Sequence, residues 1–538
     1  MRTGAELFID SVERLGIHEM FTLVGDHLNE VLLYAGKRNF RVIDMRHEAA
    51  VVHAADVWAR TFRRPSLALV TGGPGHTNAL TGIATAQSAG SPVIAVSGAR
   101  PLSQAGRNAF QEVDTFGSVR PLVKWAAEVA RPDQIPFFLA RAYSEAMSGR
   151  PGTVHLTIPV DVFTGKADVE PCQPPVIAEP AGTPDISRAV ELLRSAERPM
   201  VIAGGGVWWS RAEAALADFA ERSHLPVFTM SLGRGVLPDT HPGCFGYADP
   251  SLNRAAARAL AEADVVLVLG KRIDFRLGLG RFFSKRSQII QVDIHPQELG
   301  LNRDLAVAIQ SDVSNFLRSF EALPARPEWL RTVASFGSEW RSWLDGQAQD
   351  RSSPIHPAAF YSAFQDALPD NTLYSWDGGD FVHWGRAMLP ARHPGGWVRL
   401  GPLGTIGAAL PNAVALQLAN PDRPVAMITG DGSLGFYIAE LDTLVRHNLP
   451  VVIIVGNDAG WGLERELQGR DTTVGCELRA TRYDVVMQGF GGEGENITSL
   501  EQVGPAVKRA FASRRPYLLN VNIRGVRSPF TRWKLGDD

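Results

Sequence analysis

Short runs of β-branched and other apolar residues that end in Gly, Asp or Asn recur along the chain, with helix-like segments between them. This pattern is typical of buried strands in parallel sheets that are covered by helices on both faces. The predicted strands are Arg41–Asp44, Leu67–Thr71, Val93–Ser97 and Val154–Ile158 in a first block, Met200–Ala203, Val265–Leu269 and Ile289–Val292 in a second, and Val425–Thr429, Val451–Val455 and Leu518–Val521 in a third. The pattern therefore predicts an α/β protein with three doubly wound parallel-sheet domains.

Two linkers are predicted between the blocks. The segment from Lys166 to Asp185 contains five prolines, too many positions without an N–H donor for a helix or a central strand. The second linker is the polar segment from Asp345 to Pro357, which follows a helix-like stretch containing tryptophan. We therefore predict domains over residues 1–165, 185–345 and 355–538.

The composition serves mainly to exclude classes of partner. The 538 residues include 54 basic and 57 acidic side chains, a net charge of −3 that gives no electrostatic reason to bind nucleic acid or an anionic membrane. The three cysteines form no CxxC pair, which favours a reducing compartment. No apolar run approaches the ~20 residues of a membrane-spanning helix. We expect a cytoplasmic protein with a small-molecule substrate.

Two glycine-containing loops, each with a carboxylate, follow consecutive predicted strands of the third block. They are Gly430–Ser433 and Asn457–Gly462. Parallel sheets bind ligands at the carboxyl ends of their strands, where carboxylates can hold Mg²⁺ and helix amides can receive phosphate oxygens. Either loop alone can be interpreted as an Asx turn after a strand, and for an isolated Gly-Asp-Gly that interpretation is the better one. Together they predict a metal and phosphate site.

The spacing of Asp431 and Asp458 resembles the thiamine diphosphate motif of the acetolactate synthase-like family. The resemblance covers nearly the whole chain and implies pyrimidine-binding, central and diphosphate-binding domains. It implies that Asp431, Asp458 and the Gly460 carbonyl bind Mg²⁺. The implied cofactor contacts from the same loops are Gly430, Asp431, Gly432, Ser433, Asp458, Gly460, Trp461 and Gly462. Many relatives have Asn where this chain has Asp458, and the added charge predicts an altered cofactor affinity without loss of the site.

In the first block, Glu48 lies where a strand passes into the predicted helix Ala49–Arg60. A glutamate at a helix start ordinarily complements the helix dipole. In the resembled family, however, the glutamate after Arg-His binds a pyrimidine nitrogen of the cofactor and helps to activate it. That role requires an apolar pocket that raises the pKa of the carboxyl group. Further cofactor contacts implied by the resemblance are Gly75, Asn78, Gly404 and Ile406. Ile406 has two interpretations: it would hold the cofactor in its bent shape, or it is an ordinary core residue.

His27 and Gln111 are the candidates for catalytic contact with the substrate. His27 has the position of a histidine in benzaldehyde lyase, and Gln111 matches a glutamine of several lyases and synthases. An imidazole can relay a proton near neutral pH, whereas a glutamine can only orient the substrate. His27 is equally well interpreted as a hydrogen-bonded residue without a catalytic role. Leu400 replaces a second histidine of benzaldehyde lyase, and other segments resemble 2-hydroxyacyl-CoA lyases as closely.

The resemblance implies an enzyme that uses thiamine diphosphate and Mg²⁺ and acts as a lyase or as a carboligase. As a carboligase it would be a transferase. It would make or cleave a carbon–carbon bond next to a carbonyl in an acyloin, an aldehyde or a 2-hydroxyacyl-CoA. Two alternatives stay open: a decarboxylating synthase of the acetolactate type that acts on a 2-oxo acid such as pyruvate, and a catalytically silent homologue that only binds the cofactor. Family active sites form between subunits, which implies a homodimer at minimum and a homotetramer as the usual form.

Two further segments carry open interpretations. Relatives hold FAD or ADP in the central domain, and the run Ala203–Gly206 leaves such a site open here, with Lys271, Arg272 and Asp293 as candidate contacts. The basic and aromatic segment Arg524–Leu535 is interpreted as a solvated terminus or as a grip on an anionic group such as a CoA phosphate.

Overall fold

The structure is a computed structural model that describes residues 1–175, 184–320, 322–469 and 472–537. The described residues form two compact units. The first lies within residues 1–178, 400–422 and 435–451, and the second within residues 179–399, 423–434 and 452–538. The first unit contains one six-stranded parallel sheet and the second contains two, so the predicted fold of three parallel-sheet α/β domains is confirmed.

The first domain alternates strands and helices as the sequence pattern predicts. Its strands are β1 (Arg2–Thr3), β2 (Glu19–Thr22), β3 (Arg41–Asp44), β4 (Ser66–Val70), β5 (Val93–Ala99), β6 (Trp125–Glu128), β7 (Val154–Pro159) and β8 (Lys166–Ala167), and its helices are α1 (Gly4–Arg14), α2 (Asn29–Lys37), α3 (Glu48–Phe62), α4 (Pro74–Ala89), α5 (Thr115–Val119), α6 (Ile135–Met147) and α7 (Val160–Thr164). The sheet order is β3-β2-β4-β5-β7-β6, and β1 pairs antiparallel with β8. Helix α3 is buried from Ala49 to Arg60, which explains its continuous apolar sequence.

The central domain is built around a second parallel sheet. Its strands are β9 (Pro199–Ala203), β10 (Val227–Thr229), β11 (Cys244–Tyr247), β12 (Val265–Leu269), β13 (Gln288–Asp293) and β14 (Val307–Gln310), and its helices are α8 (Ser187–Ser195), α9 (Gly205–Trp209), α10 (Glu213–Ser223), α11 (Arg254–Glu262) and α12 (Val313–Arg318). The order β11-β10-β9-β12-β13-β14 is that of dinucleotide-binding folds. The long helix α13 (Pro327–Ala348) follows and buries Trp329 and Trp340.

The third domain repeats the order of the first. Its strands are β15 (Leu373–Trp376), β16 (Trp397–Arg399), β17 (Val425–Gly430), β18 (Val451–Asn457), β19 (Glu493–Ile497) and β20 (Tyr517–Asn522), and its helices are α14 (Pro357–Ala367), α15 (Asp380–Met388), α16 (Ala409–Ala419), α17 (Asp431–Leu434), α18 (Glu440–Arg446), α19 (Gly462–Gln468), α20 (Tyr483–Gly489), α21 (Leu500–Ser513) and α22 (Pro529–Leu535). The sheet order is β16-β15-β17-β18-β20-β19. When the strands of each six-stranded sheet are numbered along the chain, the first and third sheets both have the order 2-1-3-4-6-5.

The strands that the sequence pattern did not predict are mostly edge strands. All ten predicted strands are present within one or two residues of their predicted bounds. Five edge strands were not predicted: β6, β11, β14, β16 and β19. Edge strands are partly exposed and therefore carry weak apolar patterns, as Glu493–Ile497 shows.

Three sequence interpretations need correction. The first predicted linker contains β8, which pairs with β1, and its residues 176–183 lie outside the described residues. The second was predicted from Asp345, but α13 continues to Ala348. The C-terminal segment is not a solvated tail, because it forms α22 and Phe530 packs on the His383 ring at 4.5 Å. In the described part of the chain, no helix has the length and apolarity needed to cross a membrane.

Candidate active site

Asp431 and Asp458 are brought together at the carboxyl ends of the neighbouring strands β17 and β18. Asp431 begins α17, and its Oδ2 accepts a hydrogen bond from the Gly460 amide at 2.9 Å. The Tyr483 hydroxyl donates to the Asp431 carbonyl at 3.2 Å. The amide of Trp461 donates to the Cys476 carbonyl at 2.8 Å and holds the second loop in place. The two predicted loops therefore form one local structure.

The electrostatics of these two carboxylates fit a divalent cation. Burial, followed by the charge of Asp458, raises the pKa of Asp431 to about 7. Burial also raises the pKa of Asp458 to about 6, although nearby Arg465 opposes the shift. Neighbouring buried carboxylates with a raised proton affinity are stabilised when a cation binds between them, and oxygen ligands are those that Mg²⁺ prefers. The donor set thus fits the predicted metal ligands.

We call the two loops around Asp431 and Asp458 the diphosphate half-site, after the ligand predicted for it. Its glycines serve two different purposes. A Cβ atom on Gly432 would lie 2.8 Å from the Trp461 ring, and one on Gly462 would lie 2.8 Å from Asp458 Oδ2, so both positions must lack a side chain. A Cβ on Gly430 would meet no atom closer than 4.0 Å. Gly430 therefore leaves open space beside the carboxylates, as a phosphate-binding loop requires. Ser433 is buried in α17.

Two residues next to Asp458 have roles that the sequence did not reveal. The amide group of Asn457 donates to the Thr481 carbonyl and to Asn520 Oδ1, at 2.9 and 3.0 Å, so this residue supports the loop. Arg465 forms an ion pair with Asp458 at 3.3 Å. Arg465 lies seven positions after Asp458 in the chain, and no sequence spacing rule singles out such a pair.

The first unit brings Glu48, Gly75 and Asn78 together. Glu48 begins α3 and is half-buried, and its Oε2 accepts a hydrogen bond from the exposed Asn78 amide at 3.0 Å. A Cβ on Gly75 would lie 3.4 Å from Glu48 Oε1 and 2.7 Å from Thr71 Cγ2. Within the described residues of the first unit, the apolar pocket predicted around Glu48 is thus only partly formed, although the following residues of α3 are buried.

His27 is buried and has a defined hydrogen-bonding state. Its Nδ1 lies 2.9 Å from Thr71 Oγ1 and accepts from the Gly72 amide at 3.3 Å. Because Nδ1 is an acceptor, the proton of the neutral ring is assigned to Nε2. Burial lowers the pKa of His27, against the opposing charge of Asp26. At neutral pH, His27 is therefore a neutral Nε2–H donor.

Gln111 lies against the same turn as His27. A Cβ on Gly73 would lie 2.6 Å from the Gln111 Cβ, so this glycine allows the two segments to touch. Gln111 has a φ of 59°, and within the described chain its buried Oε1 has no hydrogen-bond partner. His27 and Gln111 therefore both contact the Gly72-Gly73 turn. Among the described residues, the Gln111 Oε1 at this turn has no donor bonded to it.

The loop with Gly404 and Ile406 belongs to the same unit as Glu48. Gly404 has a φ of 74°, and a Cβ atom on it would meet nothing within 4 Å, while Ile406 is half-buried. The Thr405 hydroxyl lies 2.8 Å from that of Thr85 on α4. Leu400, which replaces the second histidine of benzaldehyde lyase, is buried and offers no polar group.

In the central domain, the glycine run packs against other loops. The Gly206 amide donates to the Gly270 carbonyl at 2.9 Å, and a Cβ on Gly206 would lie 2.5 Å from the Gly270 Cα. Lys271 is buried, and its ammonium group binds Asp274 at 2.6 Å. These contacts explain the glycines and Lys271 without a nucleotide, so an FAD or ADP site here stays a prediction.

Comparisons with known proteins agree with this arrangement. Three thiamine pyrophosphate (thiamine diphosphate) enzyme models match the chain: the N-terminal TPP binding domain over residues 2–118, the central domain over 186–320 and the C-terminal TPP binding domain over 377–521. The chain therefore belongs to the family of thiamine diphosphate-dependent enzymes. Its relatives place it in the acetolactate synthase-like branch, which confirms the family predicted from the motifs.

Three of these relatives align over almost the whole chain. A probable acetolactate synthase of Mycobacterium bovis is 35% identical and covers 94% of this chain and 93% of the relative. The 2-hydroxyacyl-CoA lyase 2 of Homo sapiens is 32% identical, with 97% and 90% covered. A probable acetolactate synthase large subunit of Methanocaldococcus jannaschii is 31% identical, with 97% and 92% covered. Relatives of similar identity thus include proteins named acetolactate synthase and a protein named 2-hydroxyacyl-CoA lyase.

Proposed function

We propose that this protein is a thiamine diphosphate- and Mg²⁺-dependent lyase or carboligase that makes or cleaves a carbon–carbon bond next to a carbonyl. The substrate class is an acyloin, an aldehyde or a 2-hydroxyacyl-CoA. The observation that carries the proposal is that a neutral His27 and the Gln111 Oε1, an acceptor without a partner among the described residues, both lie against the Gly72-Gly73 turn. These groups suit a substrate that bears a hydroxyl or carbonyl oxygen.

The residues present fit the cofactor that the family uses. Asp431, Asp458 and the Gly460 carbonyl would hold Mg²⁺, and Gly430 with the start of α17 would receive the diphosphate. Glu48 would bind the pyrimidine ring, with Asn78 holding its carboxylate. Thiamine diphosphate, when bound, supplies a nucleophilic carbon that adds to carbonyl groups.

His27 and Gln111 would act on the substrate oxygen. The Nε2–H of His27 can donate a hydrogen bond to a substrate oxygen and so stabilise negative charge that develops there, because Thr71 and Gly72 hold Nδ1 in its acceptor state. Gln111 Oε1 can accept a hydrogen bond from a substrate hydroxyl and so fix its orientation. His27 and the Oε1 atom of Gln111 are buried, which would limit water around a substrate oxygen bound to them.

A test of these roles is the replacement of His27 by Gln. We expect kcat to fall by about 100-fold, a usual cost of losing one hydrogen-bond donor to a developing negative charge, while the cofactor still raises the melting temperature. His18, an exposed histidine of the same domain, offers a matched control as His18→Gln, which should change kcat little. Unchanged turnover in His27→Gln would remove His27 from the mechanism.

A decarboxylating synthase of the acetolactate type is the second candidate, since the Mycobacterium bovis relative carries that name at 35% identity. A panel of 2-oxo acids, acyloins and 2-hydroxyacyl-CoAs, supplied with thiamine diphosphate and Mg²⁺, separates the two. Cleavage of a 2-hydroxy ketone or a 2-hydroxyacyl-CoA to an aldehyde without CO₂ supports the lyase. Release of CO₂ from pyruvate supports the synthase, and cofactor binding without any turnover would indicate a silent homologue.

The proposal includes a homodimer as the minimum active form, with a homotetramer as the expected assembly. In it, Glu48 of one subunit would serve the Asp431 and Asp458 of another. Mixing and refolding or co-expressing Glu48→Gln with Asp431→Asn chains tests this, because a mixed dimer would contain one site with both residues intact. We expect about a quarter of wild-type activity from equal amounts. No recovery in verified mixed dimers would contradict shared sites.

A further inference from the structure

Asp458 is paired with a guanidinium group inside the diphosphate half-site. Arg465 Nη1 lies 3.3 Å from Asp458 Oδ2, and the two side chains are only 18% and 10% exposed. Arg465 lies in α19, the helix that follows the second glycine loop. A charge this close to a metal ligand and this poorly solvated changes the electrostatic energy of any ion bound there.

The surroundings hold this pair in one arrangement. A Cβ on Gly462 would lie 2.8 Å from Asp458 Oδ2, and a Cβ on Gly525 would lie 3.1 Å from the same oxygen and 3.6 Å from Arg465 Nη1. On its other side, the guanidinium donates to the Glu477 carboxylate at 3.0 and 3.1 Å and to the Ala459 carbonyl at 3.3 Å. Arg465 is therefore a fixed positive charge.

The two predicted ligand carboxylates and Arg465 together carry one negative charge when a metal holds both carboxylates ionised. Asp431 and Asp458 then contribute two negative charges, and Arg465, which pairs with Asp458, contributes one positive charge. Glu477 is 65% exposed, so solvent screens its charge more strongly. Without Arg465, the anionic diphosphate would face an additional uncompensated carboxylate.

We propose that Arg465 is a positioning residue that neutralises Asp458, so that this carboxylate offers an oxygen ligand to the metal without adding charge to the diphosphate site. The Asp458–Arg465 pair then carries no net charge, as an Asn side chain would. This inference rests on the proposed function, because it requires the half-site to hold a divalent cation and a diphosphate.

The test is equilibrium binding of Mn²⁺ to the full-length protein at saturating thiamine diphosphate, with the free ion followed by electron paramagnetic resonance. Arg465→Gln should tighten Mn²⁺ binding by about tenfold, and Asp458→Asn should weaken it by about tenfold, because each changes the charge near the ion by one. The double variant restores the net charge and should return the affinity to within about threefold of the unaltered protein.

Arg527→Gln is the matched control. It removes an ion pair to Glu466 of the same helix at 2.7 Å but does not touch Asp458, and we expect a change of less than about twofold. Weaker binding in Arg465→Gln, with no recovery in the double variant, would overturn the inference, since a merely structural arginine behaves that way. A tenfold change in the control would overturn it too. Failure of the unaltered protein to bind Mn²⁺ with thiamine diphosphate would overturn the proposed function together with the inference.

Discussion

Asp431 and Asp458 are buried side by side at the ends of two neighbouring strands, whereas Glu48 is half-buried at the start of a helix and accepts one hydrogen bond from the exposed Asn78. The sheets that carry these groups share one strand order. The difference therefore comes from the loops. In the third domain, two loops converge and enclose both carboxylates, while in the first domain a single helix start presents Glu48.

Among the described residues, the two aspartates are therefore more enclosed by their own loops than Glu48 is. Both have raised pKa values and Asp458 has an ion pair to Arg465, so this pair of loops suits the proposed cation. Within the first unit, Glu48 is half-buried and less enclosed than its proposed role requires. In the proposed assembly, another subunit would complete that enclosure.

The largest effect is expected from Asp431→Asn. Loss of this carboxylate removes a metal ligand, so kcat/KM should fall by about 1,000-fold or more. Mg²⁺ with thiamine diphosphate should no longer raise the melting temperature. Steady-state kinetics and thermal melting with and without the ligands check both effects. If the melting temperature still rose as in the unaltered protein, the third-domain half-site would not be the metal site.

Glu48→Gln should lower turnover without weakening the binding of Mg²⁺ and thiamine diphosphate. Glutamine keeps an acceptor for the Asn78 amide but cannot share a proton with the cofactor, so kcat should fall by about 100-fold or more. The stabilisation by Mg²⁺ and thiamine diphosphate should change little. Loss of that stabilisation, comparable to that of Asp431→Asn, would mean that the two half-sites do not differ as described.

The stabilisation by Mg²⁺ and thiamine diphosphate should increase with pH. The pKa values of Asp431 and Asp458 are raised to about 7 and about 6, so protons compete with the metal below these values. The shift in melting temperature should therefore be smaller at about pH 6 than at about pH 8, by an amount equivalent to roughly 1 kcal/mol. Asp458→Asn removes one competing proton and should flatten the dependence. A shift that is independent of pH in the unaltered protein would contradict the raised pKa values.

The last prediction concerns Glu440, a buried carboxylate with no proposed ligand, and its replacement by Gln should affect stability but not the proposed half-sites. Glu440 accepts from the Arg46 amide at 3.0 Å and from the Thr443 hydroxyl at 2.6 Å, and burial raises its pKa to about 7. The native state therefore binds more protons than the unfolded state between about pH 4.5 and about pH 7, and the free energy of unfolding falls as pH rises through this range. Glu440→Gln should remove about 1–3 kcal/mol of this fall, as measured by denaturant unfolding at several pH values. An unchanged slope would show that Glu440 does not titrate as expected.

The site residues differ in how far the sequence could predict them. Asp431 and Asp458 were predicted because each closely follows a strongly apolar strand, and neighbouring parallel strands bring their carboxyl ends together. Glu48 has no distinctive local pattern, and only the family resemblance assigned it a role. Arg465 was missed, because its contact with Asp458 depends on the path of a glycine loop and not on a helical or strand period.

The same division applies to the fold. The sequence by itself determined the three domains, their parallel sheets and most of the interior strands, because a strand buried on both faces must be apolar throughout. Only the tertiary structure decided most of the edge strands, the tautomer of His27 and the charge balance at Asp458. Each of these depends on contacts that no local period specifies, such as the Gly72 amide that binds His27 Nδ1. Local sequence patterns report burial and periodicity, and they do not report which distant backbone group or charge will be the partner.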